Sequence, residues 1–153
     1  MKALTIWQPW ASLIAAGAKP YEFRGWRSPN SLVGQRIAIH AGARPVKRGE
    51  VADLIVRLKS GESWTTALRP EIAIPLLEKA HAQPGSLPLS SILATAILGE
   101  ARKGFDVAEE FGGAVNDSDR DQHANFAWPL TAIEVLEPFQ PAKGAQGFWE
   151  WVA

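Results

Sequence analysis

Apolar positions in this chain fall into short runs, and the spacing within the runs changes along the sequence. Residues 3–6 form a compact apolar run that predicts a strand. Gln8-Pro9 then opens a helix, with proline accommodated in its first turn. Ala11, Leu13, Ile14 and Ala15 fill that helix, and Gly17 supplies its stop. Pro20 pushes Lys19 towards extended backbone. Tyr21 and Phe23 alternate with Glu22 and Arg24, the period of a half-buried strand. Pro29-Asn30 marks a turn, and residues 36–40 predict a further strand.

The period then lengthens. Val51, Leu54, Ile55 and Leu58 fall on one face of a helix predicted over residues 45–59 and ended by Gly61. A second helix is predicted within residues 70–81, ahead of the breakers Pro84, Gly85 and Pro88. Residues 91–100 are rich in Ile, Leu and Ala and predict a strand. Residues 106–125 are glycine-rich and acidic and predict a long surface loop. A strand with β-branched Thr131, Ile133 and Val135 is expected within 126–139, and a closing strand over 148–152 follows Gly144 and Gly147. No repeat and no linker divides the chain. The expectation is one domain over residues 1–153, with a helical insertion near 44–88. Short strands, an early helix and two inserted helices together predict a mixed α+β barrel, not a βαβ sheet.

Composition narrows the chemistry. An apolar share of 46% is enough for a packed core. The absence of cysteine excludes disulfides, thiolate metal sites and cysteine nucleophiles. His40, His81 and His123 form no ligand-spaced pair, so neither a metal nor another cofactor is expected. The N-terminus mimics a signal peptide in outline, but Gln8, Pro9, Trp10 and Ser12 interrupt its apolar stretch. No run approaches the roughly 20 apolar residues of a membrane span. The expectation is a cytoplasmic protein with no membrane partner. Nothing in the sequence specifies an oligomeric state.

The formal charge sums to zero but is unevenly spread. Residues 1–48 carry Lys2, Lys19, Arg24, Arg27, Arg36, Arg44, Lys47 and Arg48 against the single acid Glu22. The remainder carries the compensating acidic excess. Such asymmetry predicts a positive face for an anionic partner, provided the cations cluster in space as they do in sequence.

Five ordered segments resemble one known family. Leu4-Thr5-Ile6-Trp7-Gln8-Pro9-Trp10-Ala11-Ser12-Leu13 is similar to the opening signature of ASCH domains. Gly17-Ala18-Lys19-Pro20-Tyr21-Glu22-Phe23-Arg24-Gly25-Trp26 resembles the family's Gly-x-Lys-x-x-Glu-x-Arg-x-Trp segment. Arg36-Ile37-Ala38-Ile39-His40-Ala41 is similar to its next strand. Phe126-Ala127-Trp128 and Lys143-Gly144-Ala145-Gln146-Gly147-Phe148-Trp149 resemble its closing segments. The resemblance implies a small PUA-like β-barrel with helices around it, a cleft lined by the Lys-Glu-Arg segment, and RNA or an RNA-derived nucleotide as partner. It also implies possible hydrolase activity, because some relatives are ribonuclease-like and small members deacylate N4-acetylcytidine. In those small members the lysine acts with a threonine three residues on and with a later glutamate. Lys19 matches the lysine, Glu22 stands at the threonine position, and Glu100 is a candidate for the later carboxylate by position alone.

The residues carry their own chemistry. Lys19 lies between a helix stop and a strand; it can bind phosphate or, when desolvated, act as base or nucleophile. Glu22 and Arg24, two apart on a strand, share a face. Glu22 can take a proton from water or accept the amino edge of cytosine. Arg24 can grip a phosphate or carbonyl with its fork. Lys19 and Glu22 are therefore the candidate catalytic pair; Trp7, Gln8, Arg24, Trp26, Arg27 and His40 are the candidate RNA-binding residues. Among the tryptophans, Trp7 and Trp26 are expected in the cleft, and Trp10, Trp128 and Trp149 in the core. Three functions fit: a hydrolase of RNA or a modified nucleoside, a non-catalytic RNA-binding module, and a protein-interaction adaptor docking through the insertion and acidic loop.

Overall fold

The structure is a computed structural model that describes residues 1–112 and 126–153. Its centre is one curled sheet. β1 (Lys2–Ile6) pairs in parallel with β3 (Arg36–Ala41), and α1 (Trp10–Ala15) and β2 (Tyr21–Arg24) lie between them in sequence. After β3 the chain makes α2 (Arg48–Lys59), the one-turn α3 (Ser63–Thr66) and α4 (Pro70–Ala82). It returns as β4 (Ser91–Leu98), β5 (Arg102–Lys103) and α5 (Gly104–Ala108), then as the long β6 (Phe126–Pro141) and β7 (Phe148–Glu150). The strand order is β2-β6-β4-β3-β1-β7, with β5 added to β6. The result is a PUA-like half-barrel in an α+β fold, with β2 and β7 as edges among the described residues. Two shifts of register between β4 and β6 accompany the curl, as bulges locally increase twist.

Period-2 patterning explains the sheet's two faces. Leu4, Ile6, Ile37, Ile39, Leu93 and Leu98 point inward and meet Ile14 of α1 and the buried Trp128. Ala3, Ala38 and Ile92 point to the other side, under Trp149 and Trp151. The inserted helices build their own core. Val51, Leu54 and Leu58 of α2 pack on Ala73, Leu77 and Ala80 of α4, and Leu13 of α1 joins them to the sheet. Helix α1 therefore has two apolar sides, one for each core.

Several expectations change in detail. Residues 104–111 are not loop: Gly104–Ala108 is helical and Glu109–Phe111 is one 3₁₀ turn. Val107 and Ala108 are buried in this segment, and Val107 packs with Tyr21 and Ala127; the surrounding acids mask that apolar pair in the sequence. Residues 113–125 of the expected acidic loop lie outside the described residues. Helix α2 begins at Arg48 and β7 ends at Glu150, each shorter than expected. Trp128 is buried as expected, whereas Trp10 and Trp149 are half-buried, Trp10 because a cavity opens beside it. No helix of the described residues is long and apolar enough to cross a membrane.

Candidate functional site

The site begins at the C-terminus of α1. Gly17 takes φ +84, and the N–H groups of Ala18 and Lys19 both donate to the Leu13 carbonyl (2.9 and 3.1 Å). Glycine at this left-handed position closes the helix without a Cβ penalty. From the start of α4, Arg69 donates its backbone N–H to the Ala18 carbonyl (2.9 Å) and its guanidinium to the Gly17 carbonyl (2.8 Å). The turn carrying Lys19 is thereby pinned from two sides, and the chain enters β2 directly.

Strand β2 then presents Glu22 and Arg24 on one face. Lys19 Nζ donates to Glu22 Oε1 at 3.1 Å and also to the Tyr21 carbonyl. Arg24 holds the other carboxylate oxygen, with Nε at 3.1 Å and Nη2 at 2.9 Å. Lys19 and Glu22 are buried, with side chains 4% and 10% exposed. Burial alone would raise the Glu22 pKa. The neighbouring Lys19 and Arg24 charges and their hydrogen bonds outweigh it and hold the carboxyl below its ordinary range. Glu22 is thus an ionised, buried carboxylate between two cations, and aromatic rings surround the group. Lys19 Nζ lies 5.3 Å from the Phe23 ring centre and 5.9 Å from that of Trp10. The Arg24 guanidinium lies 5.9 Å from the Trp128 ring.

This cluster borders a cavity of about 940 Å³. Thr5, Ile6 and Trp7 line it from the end of β1, and Trp10 from α1. Glu50, Asp53, Leu54 and Arg57 line it from α2, and Thr65 and Thr66 from α3. Residues 143–147 line it as well. The lining cations Lys19, Arg24, Arg57 and Lys143 face the acids Glu22, Glu50 and Asp53, so the cavity is mixed in charge, not uniformly basic. Among the eight N-terminal cations only Lys19 and Arg24 line it. Arg36 pairs with Glu134 away from the cavity, while Arg44, itself outside the lining, pairs with the lining residue Glu50.

The candidate binding residues separate into two groups. Trp7 lines the cavity, is 55% exposed, and has the Arg44 guanidinium 3.9 Å from its ring centre. Glu50 holds Arg44 in turn at 3.1 Å. His40 lines the cavity but is buried, with Nδ1 3.0 Å from Thr5 Oγ1 and Nε2 2.7 Å from the Ala142 carbonyl. Gln8 is fully buried: its amide donates to Ser12 Oγ and the Pro88 carbonyl and accepts from the Ser12 N–H, tying α1 to the approach of β4. Trp26 and Arg27 are exposed and lie outside the cavity lining. The Trp26 carbonyl accepts from Trp128 Nε1, and Arg27 stacks on Phe126 at 4.9 Å. Glu100 is exposed and also outside the lining.

The later carboxylates that line the cavity are instead Glu50 and Asp53 of α2, which sequence reasoning did not single out. Asp53 is paired with Arg57 one helical turn on at 3.0 Å. That spacing is readable in the sequence as a helix-surface pair, but nothing local says the pair faces a cavity. No group of three or more metal-binding side chains occurs among the described residues.

The chain matches the family model of the ASCH domain over residues 4–102, a stretch that includes β1, α1, the Lys19–Arg24 cluster and the inserted helices. No curated protein matches it. With that match covering more than half of its length, the chain belongs to the ASCH domain family.

Proposed function

We propose that this protein binds RNA or an RNA-derived nucleotide, one unit of which enters the cavity with its base against Lys19, Glu22 and Arg24. The observation that carries the proposal is the buried Lys19–Glu22–Arg24 cluster bordering a cavity large enough for a ligand. Burying the Lys19 and Glu22 charges beside a partly buried Arg24 is costly, and a binding site is where such preorganised charge has a use. An ionised Glu22 accepts from the amino edge of a base, and Arg24 donates to a base carbonyl. Trp7 and Trp10 both line the cavity, and aromatic rings are suited to stacking a base. The near-balanced lining favours a ligand that brings few charges into the cavity. ASCH domains are generally RNA-binding, which agrees with this reading.

A hydrolytic reading rests on a second observation. The Lys19 amine is buried one hydrogen bond from an ionised carboxylate, an arrangement that can hold and pass a proton at a reacting bond. Two experiments test the pair of readings on wild type, Lys19→Ala and Lys19→Arg. Calorimetric titration with a short single-stranded RNA and with cytidine 5′-monophosphate measures binding; absence of binding to both by wild type sinks the proposal. A time course with N4-acetylcytidine and with RNA measures hydrolysis. If Lys19 acts in chemistry, Lys19→Ala lowers turnover by about 10²–10⁴-fold and Lys19→Arg fails to restore it. If wild type cleaves neither substrate, the hydrolytic reading is withdrawn for them. If all three proteins bind alike, Lys19 is not in the binding site.

A further inference from the structure

Residues 143–147 form one wall of the cavity and contribute five consecutive lining positions. Their carbonyls and flanks are tied to the sheet. Thr5 Oγ1 donates to the Ala145 carbonyl at 2.7 Å, Thr5 N–H to the Gly147 carbonyl at 3.4 Å, and His40 Nε2 lies 2.7 Å from the Ala142 carbonyl. A trans peptide sets each N–H opposite the carbonyl before it. The N–H groups of Lys143, Gln146 and Phe148 therefore face away from those anchors. Among the described residues, no backbone N–H from Lys143 to Gly147 donates to a protein acceptor.

Two glycines set the curvature. Gly144 has φ +72 and Gly147 φ +70. A Cβ on Gly144 would stand 2.3 Å from His40 Cε1, so the loop sits directly on a buried imidazole. Left-handed glycines beside other backbone conformations turn successive N–H groups into a concave anion site. Lys143 adds a cation, and it has no carboxylate within ion-pair distance among the described residues. The other lining cations differ: Lys19 and Arg24 share Glu22, and Arg57 has Asp53. Thr5 links this wall to the buried cluster, since its carbonyl accepts from Arg24 Nη2 at 3.4 Å and its hydroxyl bonds Ala145.

We infer that residues 143–147 are a phosphate subsite, in which Lys143 and the unbonded backbone N–H groups hold the phosphate of a nucleotide whose base meets Lys19, Glu22 and Arg24. The inference rests on the nucleotide reading for its base end but not for its anion end. The phosphate comes either from a mononucleotide or from the backbone of an RNA strand, and the chemistry of the wall is the same for both.

The test follows backbone amide chemical shifts of residues 143–147 in the intact protein, at constant ionic strength, with sodium chloride as control. Inorganic phosphate is expected to shift these amides saturably and chloride is not. Absence of a saturable phosphate shift at residues 143–147 overturns the subsite, whatever happens with nucleotides. Cytidine 5′-monophosphate and cytidine are then compared by calorimetry. Wild type is expected to prefer the monophosphate by about tenfold, the scale of one charge-assisted contact. Lys143→Ala is expected to bring that ratio near one while cytidine affinity holds. Equal loss for both ligands overturns the inference, as does a wild-type ratio of one when a short RNA also fails to shift these amides. If neither nucleoside ligand binds but phosphate still shifts the amides, the nucleotide reading fails and the anion subsite stands. A short RNA that shifts these amides where the mononucleotide does not assigns the phosphate to a strand.

Discussion

Two neighbouring residues of β2 face opposite ways into two clusters, each built around one carboxylate and different in character. Glu22 points to the cavity, between Lys19 and Arg24. Tyr21 points to the other side, where its hydroxyl donates to Glu110 at 2.5 Å and Arg102 reaches both the hydroxyl (3.0 Å) and Glu110 (2.9 Å). Each cluster holds a carboxylate below its ordinary pKa. In each, burial pushes the carboxyl up and is outweighed: at Glu22 by two flanking cations, at Glu110 first by the Tyr21 hydroxyl and then by Arg102. The difference is solvent. The Lys19–Glu22 side chains are 4% and 10% exposed, against 42% and 43% for Arg102–Glu110. Water screens the second pair and makes it cheap to form and cheap to lose. The first has no such cushion, so its members depend on one another, and that cost is what the proposed binding role rests on.

The largest effect expected from this contrast is at Glu22. Glu22→Gln leaves the buried Lys19 and the partly buried Arg24 without their counter-charge, and removing one partner of a buried pair costs about 3–5 kcal/mol. Urea unfolding at neutral pH measures it. Replacing the pair together, Lys19→Met with Glu22→Leu, is expected to recover most of that loss while removing ligand binding. A stable Glu22→Gln protein would erase the distinction between the two clusters.

The same contrast sets the response to acid. A carboxyl with a lowered folded-state pKa adds stability above its unfolded value, near 4.3 for Glu. That contribution disappears as pH falls through the lower folded value. Wild type is therefore expected to lose stability below about pH 4.3 more steeply than Glu22→Gln, by up to about 1.4 kcal/mol per pH unit for the one proton involved. Urea midpoints between pH 7 and pH 3 decide it, and parallel acid limbs for the two proteins would contradict a depressed Glu22.

Trp7 belongs to the cavity side of the comparison but stands at its exposed edge, held by Arg44 and through it by Glu50. Trp7→Ala is expected to weaken nucleotide binding by about 1–3 kcal/mol, the worth of one stacked base, with little change in stability because the ring is more than half exposed. Trp26→Ala, on an equally exposed ring outside the cavity, is the control. Equal losses at both positions would place the bound base outside the cavity.

How far each cluster could be read in the sequence follows from the reach of its contacts. Lys19, Glu22 and Arg24 lie within six positions, on a helix stop and one strand face, so local patterning brings them together. Strands β1, β2 and β3 and the apolar faces of α2 and α4 are legible for the same reason. Helical periodicity reports which side of α2 is apolar; it says nothing of what the polar side overlooks, so Glu50, Asp53 and Arg57 went unnoticed as cavity residues. The basic N-terminal third misleads in a related way, because most of its cations lie outside the cavity lining once the chain folds. The Tyr21 cluster joins positions 21, 102 and 110, and Glu110 sits where acidic composition suggests only loop. Its helical turns come from tertiary burial of Val107 and Ala108, which no local period announces.

The smallest effect is expected on that outer cluster. Glu110→Gln removes one charge from a pair exposed on both sides, where ion pairs are worth about 0–1 kcal/mol. Glutamine keeps one of the two accepting oxygens, which can still take the Arg102 N–H, and its NH2 can donate to the Tyr21 hydroxyl, so part of the bonding survives the change. The Tyr21 hydroxyl, raised by burial first and by the Glu110 carboxylate after it, is expected to titrate at lower pH in Glu110→Gln. Spectrophotometric titration can follow it directly, because Tyr21 is the only tyrosine in the chain. Nucleotide binding should be unchanged, since the Tyr21 hydroxyl and Glu110 lie on the face of β2 away from Glu22. Measured stability loss within about 1 kcal/mol, a lowered tyrosine titration and intact binding would together set the two clusters apart. A loss as large as that of Glu22→Gln would mean that exposure is not what distinguishes them.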